Sequence, residues 1–280
     1  VGSPRCVLHG VKRKSAWGFV KQKLSGVMQG ELIETVTLKV RAADQSLGDQ
    51  DLLSEAEHER LANMHQGARP AFVTARTMLR AALGDYMGLL PSAVPLVQPK
   101  KGGRIQIEGF RESEPPFFSI SHTGGAEEGI AAVAVSASGP IGIDIQQLDP
   151  IVDWARVAER RFPESEWAVL SAMPDTEAAM LFFTLWAVKE SFVKMENGTL
   201  MPYLRGVELD LKDNKFVLQR PTPGGTESAT IYFHYIPESY LVITLVSQSQ
   251  VEVELDYNVA HLARRADPLQ TSATTDEDAA

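Results

Sequence analysis

Residues 181–198 read LFFTLWAVKESFVKMENG and residues 141–146 read IGIDIQ; the fold and the chemistry of this chain turn on these two segments. At 3.6 residues per turn, Leu181, Leu185, Val188, Phe192 and Met195 form one apolar stripe of a helix over 181–196. Glu190 points to nearly the opposite side, among Phe183, Trp186, Val193 and Lys194. A helix apolar on two faces belongs inside a protein, and a carboxylate buried there without a partner is costly. Two partners for Glu190 stay open. One is Lys194 at i+4, shared with Lys189, an ordinary helix ion pair. The other is a metal ion or a substrate hydroxyl, with Lys189 and Lys194 free to reach phosphate oxygens.

In the second segment Ile141, Ile143 and Ile145 occupy one face of a strand, leaving Gly142, Asp144 and Gln146 on the other. Side chains two apart on a strand sit roughly 7 Å apart at their bases, close enough to converge on one cation. An edge strand with a polar outer face would alternate in the same way. Gly142 tells against it, because glycine weakens a strand unless something approaches closely, and it would keep the space beside Asp144 open. Helix and strand together favour a metal-assisted site for a phosphate ester.

The 280 residues, 44% of them hydrophobic, suffice for one large or two modest domains with a real core. No run of about 18 apolar residues is present, so no membrane span is expected. A single cysteine, Cys6, leaves no internal disulfide and no thiolate cluster, which fits a reducing, cytoplasmic compartment. The net charge of −9 argues against nucleic-acid binding, which needs a basic surface. Residues 1–33 are expected to be a basic extension; they are acid-poor like a targeting segment but lack an apolar signal core. Residues 250–280 are expected to be a polar, acidic tail, disordered from Asp267 onward.

Between these ends, residues 34–41 alternate as a strand, and Ser54 with Glu57 forms a capping-box signature. Pro70 opens a helix to about Gly88 carrying Arg76 and Arg80, with Arg69 just before it. Three arginines so spaced are solvated or capture an anion. Lys100, Lys101, Gly102, Gly103 and Arg104 form a basic turn that could meet a phosphate. Residues 117–121 and 129–136 read as a hairpin tipped by His122, Thr123, Gly124 and Gly125. A helix over 153–161, a corner at 162–166 and an antiparallel meander over 207–246 complete the pattern, with Asn197 and Gly198 stopping the central helix. Ser121 beside His122 does not make a serine hydrolase, since no third group or nucleophile elbow accompanies them.

Together, IGIDIQQ at 141–147, the RRFPESE segment at 160–166, LWAVKESFVK at 185–194, FFSISHTGG at 117–125 and the helix around Arg76 and Thr77 resemble the 4′-phosphopantetheinyl transferases of the Sfp type. The resemblance spans about residues 34–246. It implies an α+β fold with two pseudo-symmetric halves, here 34–140 and 141–249, and a coenzyme A site between them. It implies transfer of the phosphopantetheine arm of coenzyme A to a serine of an acyl or peptidyl carrier protein, releasing adenosine 3′,5′-bisphosphate. By the same resemblance Asp144, Gln146 and Glu190 occupy the magnesium positions, Glu190 is the base, and Asp144 and Lys194 complete the catalytic set. Lys189, Lys194, Ser121, His122, Arg76, Thr77, Arg60 and Arg104 match positions that hold the coenzyme's phosphates and adenosine. A monomer is expected. Gln146 departs from the commonest pattern, which has a second acid there; one less negative charge implies looser magnesium binding or a water in its place. Two other readings are a catalytically weak homologue that binds coenzyme A or a carrier protein without efficient transfer, and an unrelated α+β protein with a structural ion pair at Glu190.

Overall fold

The structure, a computed structural model, describes residues 33–43, 50–98, 103–123, 129–148, 152–212 and 215–259. The basic extension up to residue 32, the residues Lys100, Lys101, Gly102, Gly124 and Gly125, and the chain from residue 260 lie outside the described residues. The described part is mixed α and β, as the sequence leads one to expect.

Strand β1 (Glu34–Ala42) buries Val36, Leu38 and Val40, the alternation visible in its sequence. Helix α1 (Glu55–Ala62) starts on the expected capping box: Ser54 Oγ accepts the Glu57 N–H, and the Ser54 N–H donates to the Glu57 carboxylate at 2.9 Å. Helix α2 (Arg69–Met87) begins with Pro70 in its first turn and stops at Gly88, which takes the left-handed conformation (φ 68°) that glycine adopts at little cost. A two-residue ribbon of β2 (Leu96–Val97) and β3 (Gln106–Ile107) follows. The expected hairpin is β4 (Phe117–Thr123) paired with β5 (Ile130–Ser136), Phe117 opposite Ser136 and Thr123 opposite Ile130.

Strand β6 (Ile141–Gln147) leads through α3 (Trp154–Arg161) and α4 (Glu164–Ser171) to α5 (Asp175–Glu196), the central helix. Leu185, Val188, Phe192 and Met195 of its stripe are buried, each contributing about 2 kcal/mol. Asn197, left-handed at φ 60°, caps it. Short α6 (Leu200–Gly206) precedes β7 (Leu209–Lys212), β8 (Lys215–Leu218), β9 (Thr230–Ile236) and β10 (Leu241–Ser247). The expected meander holds only in pairs: β7 pairs with β8 and β9 with β10, while the far edge of β10 takes β6.

One expectation is corrected at the C-terminal side. Residues 251–258 are not tail but strand β11 (Val251–Asn258), parallel to β1 with Glu34 opposite Val251 and Leu38 opposite Leu255. The alternation of Val251, Val253 and Leu255 is masked by Glu252, Glu254 and Asp256, which take the outward positions.

The two main sheets, in orders β11-β1-β5-β4 and β6-β10-β9, face each other across one core of Leu38, Val40, Ile130, Ala132, Ile141, Ile143, Ile145, Ile243 and Leu245. On its outer face the first sheet carries α2, packed through Leu79 and Leu83 to Val133; the second carries α5, packed to Val242 and Val246. Alternate side chains of β6 therefore divide as the sequence dictates: three isoleucines go inward, while Gly142, Asp144 and Gln146 turn to the α5 side. Strands β4 and β6 run beside each other without a backbone ladder. Serine hydroxyls bridge them instead, Ser119 Oγ accepting the Ile143 N–H at 3.0 Å and Ser121 Oγ the Ile145 N–H at 3.4 Å.

Candidate active site

A cleft of about 590 Å³ opens along this bridged seam. One wall comes from β4 and α2 and the loops after them, the other from β6 and α5. Of the residues expected at the site, Arg60, Arg76, Arg104, Ser121, His122, Asp144, Gln146, Glu190 and Lys194 all line the cleft. Two do not. Thr77 is buried within α2, where its hydroxyl donates to the Thr74 carbonyl at 3.1 Å. Lys189 is fully buried on another side of α5, its ammonium donating to Glu166 at 3.1 Å and to the Val207 carbonyl and lying 4.9 Å from the Phe162 ring centre. Neighbours on a helix point about 100° apart, and here Lys189 turns into the interior while Glu190 faces the cleft.

On the second wall, Asp144 Oδ1 accepts hydrogen bonds from Ser121 Oγ and from Lys194 Nζ, both at 2.8 Å. Lys194 Nζ also donates to Ser121 Oγ at 2.9 Å, so Ser121 joins β4 to both β6 and α5. The Lys194 ion pair is thus with Asp144 across the cleft floor, not with Glu190 one turn away. Among the described residues the half-buried Glu190 carboxylate has no hydrogen bond or ion pair. Burial pushes its pKa up, the Asp144 charge adds to this, and Lys194 works against it. Gln146 donates its amide N–H to the Gln147 carbonyl at 3.0 Å, which leaves its amide oxygen unpartnered among the described residues.

Gly142 has the role its sequence position suggested but a different neighbour. A Cβ there would overlap the Ser191 carbonyl and stand 2.6 Å from the Met195 N–H nitrogen. What approaches the glycine is the α5 backbone. That close seat brings Lys194 and Glu190 over Asp144.

The first wall is cationic. Arg60 and Arg76 share the Gln98 amide oxygen, at 2.5 and 3.2 Å, and both guanidinium groups lie over the Phe72 ring, 5.3 and 5.1 Å from its centre. Behind them Glu57 pairs with Arg80 at 2.5 Å and Arg76 at 3.4 Å. Burial alone would raise the Glu57 carboxyl; the Ser54 N–H, Arg80 and Arg76 together hold it below its ordinary value. Burial lowers Arg76 to about 10, with Arg60 and Arg80 adding to the effect and Glu57 opposing it, so it stays charged at neutral pH. Burial likewise lowers Arg104, against the pull of Glu112. His122, reachable by solvent yet sunk in the cleft, has its imidazole lowered first by desolvation and then by Lys194, Arg60 and Arg76. Even as a neutral imidazole it keeps one ring N–H to donate to a bound anion.

Gln98, Phe72 and Glu57, which organise the arginines, carry no sequence signature of that role; Gln98 stands in a proline-flanked loop with nothing to mark it. Glu57 was legible only as a cap. The partner of Lys189, Glu166, lies 23 residues earlier in the chain, beyond any local pattern.

Four cations, Arg60, Arg76, Arg104 and Lys194, line a cleft that holds two carboxylates, Asp144 and Glu190, in a chain whose net charge is −9. The basic lining is therefore local, and it suits a polyanionic ligand. Among the described residues no group of three or more His, Cys, Asp or Glu side chains could hold a metal. The donor set here is two carboxylates and an amide oxygen, all hard oxygens; burial raises Glu190 first and the Asp144 charge adds to it, and a divalent cation would offset both.

Comparison with known proteins points the same way. Residues 140–245 match the model of the 4′-phosphopantetheinyl transferase superfamily. The chain is 32% identical over 166 residues to the 4′-phosphopantetheinyl transferase HetI of Nostoc sp., an alignment covering 58% of this chain and 68% of that enzyme. It is 33% identical over 165 residues to a 4′-phosphopantetheinyl transferase of Bacillus subtilis, covering 58% and 67%. With the 4′-phosphopantetheinyl transferase Sfp of Bacillus subtilis it shares 38% identity over 83 residues, 30% of this chain and 34% of that one. The crystal structure of Thermotoga maritima holo-(acyl-carrier-protein) synthase aligns with a TM-score of 0.31 at 23% identity, over 41% of this chain and 64% of that one. Two relatives above 30% identity, each spanned over two thirds of its length, settle the family: this chain belongs to the 4′-phosphopantetheinyl transferase superfamily of enzymes.

Proposed function

We propose that this enzyme moves the 4′-phosphopantetheine arm of coenzyme A onto a serine hydroxyl of an acyl or peptidyl carrier protein, with magnesium, releasing adenosine 3′,5′-bisphosphate. The observation that carries the reading is the division of the cleft: an arginine wall beside a pair of carboxylates whose charge the protein leaves uncompensated at Glu190. Coenzyme A carries a pyrophosphate and a 3′-phosphate, and Arg60, Arg76, Arg104, His122 and Lys194 supply donors for such groups.

In the reaction the serine oxygen forms a bond to the phosphorus that bears pantetheine, and the pyrophosphate P–O bond to the adenosine bisphosphate breaks. Glu190, its pKa raised chiefly by burial, takes the proton of the attacking hydroxyl. Lys194, steadied by Asp144 and Ser121, offers its remaining N–H to the charge that gathers on the phosphoryl oxygens. Asp144 through its free oxygen, the Gln146 amide oxygen and Glu190 would hold magnesium. When bound, the ion would neutralise negative charge on the pyrophosphate. No covalent enzyme intermediate is required.

The test is to incubate the protein with coenzyme A, magnesium and several apo carrier proteins and weigh each carrier by mass spectrometry. A gain equal to one phosphopantetheine is expected on at least one carrier, and Asp144→Ala should abolish it while the fold survives. No gain on any carrier, with coenzyme A still bound, would overturn the proposal.

A further inference from the structure

Glu190 has no hydrogen bond to any described residue, so its position is whatever the backbone of α5 gives it. That backbone rests on β6 at Gly142, where only the lack of a side chain permits the approach. A steric seat limits how close the helix comes; it does not fix the helix along or about its own axis. A polar tie does. Ser191, the residue after Glu190, and Thr244 of β10 are both wholly buried, and their hydroxyl oxygens lie 2.8 Å apart. Thr244 stands directly opposite Asp144 in the β6–β10 pairing, and its hydroxyl also reaches the Asp144 carbonyl at 3.4 Å. Two hydroxyls thus connect the residue beside one acid to the backbone of the other. Among the described residues, the other hydrogen bonds from α5 to β4, β6 or β10 are those of Lys194 itself.

Energetics favour a directional role. Val242 and Val246 flank Thr244 on the same face of β10, and both belong to the apolar layer under α5. An alanine and a valine would fill that layer without desolvating two hydroxyls, so the pair adds little net stability. A hydrogen bond at 2.8 Å between short side chains does fix the rotation and register of the helix.

We propose that Thr244 is a positioning residue: paired with Ser191, it pins α5 so that Glu190 and Lys194 meet Asp144. The effect on rate rests on the transferase reading above; the pinning itself does not. The experiment compares Thr244→Ser, Thr244→Val and the double variant Ser191→Ala/Thr244→Val. The serine variant keeps the hydroxyl and should keep the rate. The valine variant strands the Ser191 hydroxyl and should lose both stability and kcat. The double variant removes both partners and should recover stability. Its kcat should stay about tenfold down, because small misplacements of reacting groups are costly. KM for coenzyme A should move far less than kcat, since Arg60, Arg76 and Arg104 belong to other elements and only Lys194 of the binding donors rides on α5. A double variant with wild-type kcat overturns the proposal. Amide hydrogen exchange over residues 190–195, measured without coenzyme, supplies a reading independent of catalysis: the double variant should exchange faster, and unchanged protection overturns the pin. Faster exchange in a protein that proves to transfer nothing would leave the pin standing and sink the transferase reading instead.

Discussion

Lys189 and Glu190 are consecutive on one helix and have opposite surroundings. Lys189 is enclosed: Glu166 at 2.9 Å, the Val207 carbonyl and the Phe162 ring account for its charge, and Glu166 also accepts the Leu209 N–H at 2.9 Å. Burial pushes this lysine down and Glu166 up, while each holds the other charged. Glu190, about 100° round the helix, faces a cleft with no such partner among the described residues. A charge the protein has fully answered holds α4, α5 and the start of β7 together. A charge left unanswered beside Asp144 is available to a ligand. The difference separates a residue whose charge is spent on holding the fold together from one left open to a ligand.

That contrast can be broken first at its buried end. Lys189→Met leaves Glu166 uncompensated in the interior and should cost about 3–5 kcal/mol in urea unfolding. The double change Lys189→Met/Glu166→Met should return most of it, with coenzyme A affinity intact. If Lys189 were a phosphate ligand, the single variant would instead raise KM and leave stability alone. Next, Arg76→Ala should raise KM for coenzyme A about tenfold, roughly 1.4 kcal/mol, with little change in kcat. A change confined to kcat would move Arg76 out of the binding wall.

Smaller effects sharpen the cleft end. Gln146→Glu adds a third carboxylate and should lower, by a few-fold, the magnesium concentration at half-maximal rate; an unchanged dependence would show that position 146 does not face the ion. Finally, a carboxyl whose folded pKa is raised binds its proton more tightly when folded, so its ionisation costs stability. In metal-free buffer stability should therefore fall as pH rises from about 4.5 through the raised Glu190 value, and Glu190→Gln should remove that part of the slope. Denaturation midpoints across this range check the sign.

Much of this was written in local patterns. The helical wheel separates Glu190 from the apolar stripe, and the twofold alternation of residues 141–146 puts Gly142, Asp144 and Gln146 on one face, as found. The glycine announced a close approach but not its source, because a sequence does not say whether a ligand or a helix fills the space. Lys189 was misplaced among the phosphate ligands for a related reason: its partner Glu166 sits on another helix, and no spacing rule joins them. Strand β11 was hidden because its outward positions are acidic and its partner β1 lies at the opposite end of the chain. Long-range pairing, rather than local propensity, is what the sequence withheld.

The most direct measurement is the rate at which Glu190→Gln modifies an apo carrier serine, set beside its affinity for coenzyme A. A loss of about 10²–10⁴-fold in kcat is expected, with coenzyme affinity and fold preserved, because the substitution removes the proton acceptor and leaves the arginine wall untouched. A variant that transfers at the wild-type rate would contradict it, and would return Glu190 to the ranks of charges that merely hold a protein together.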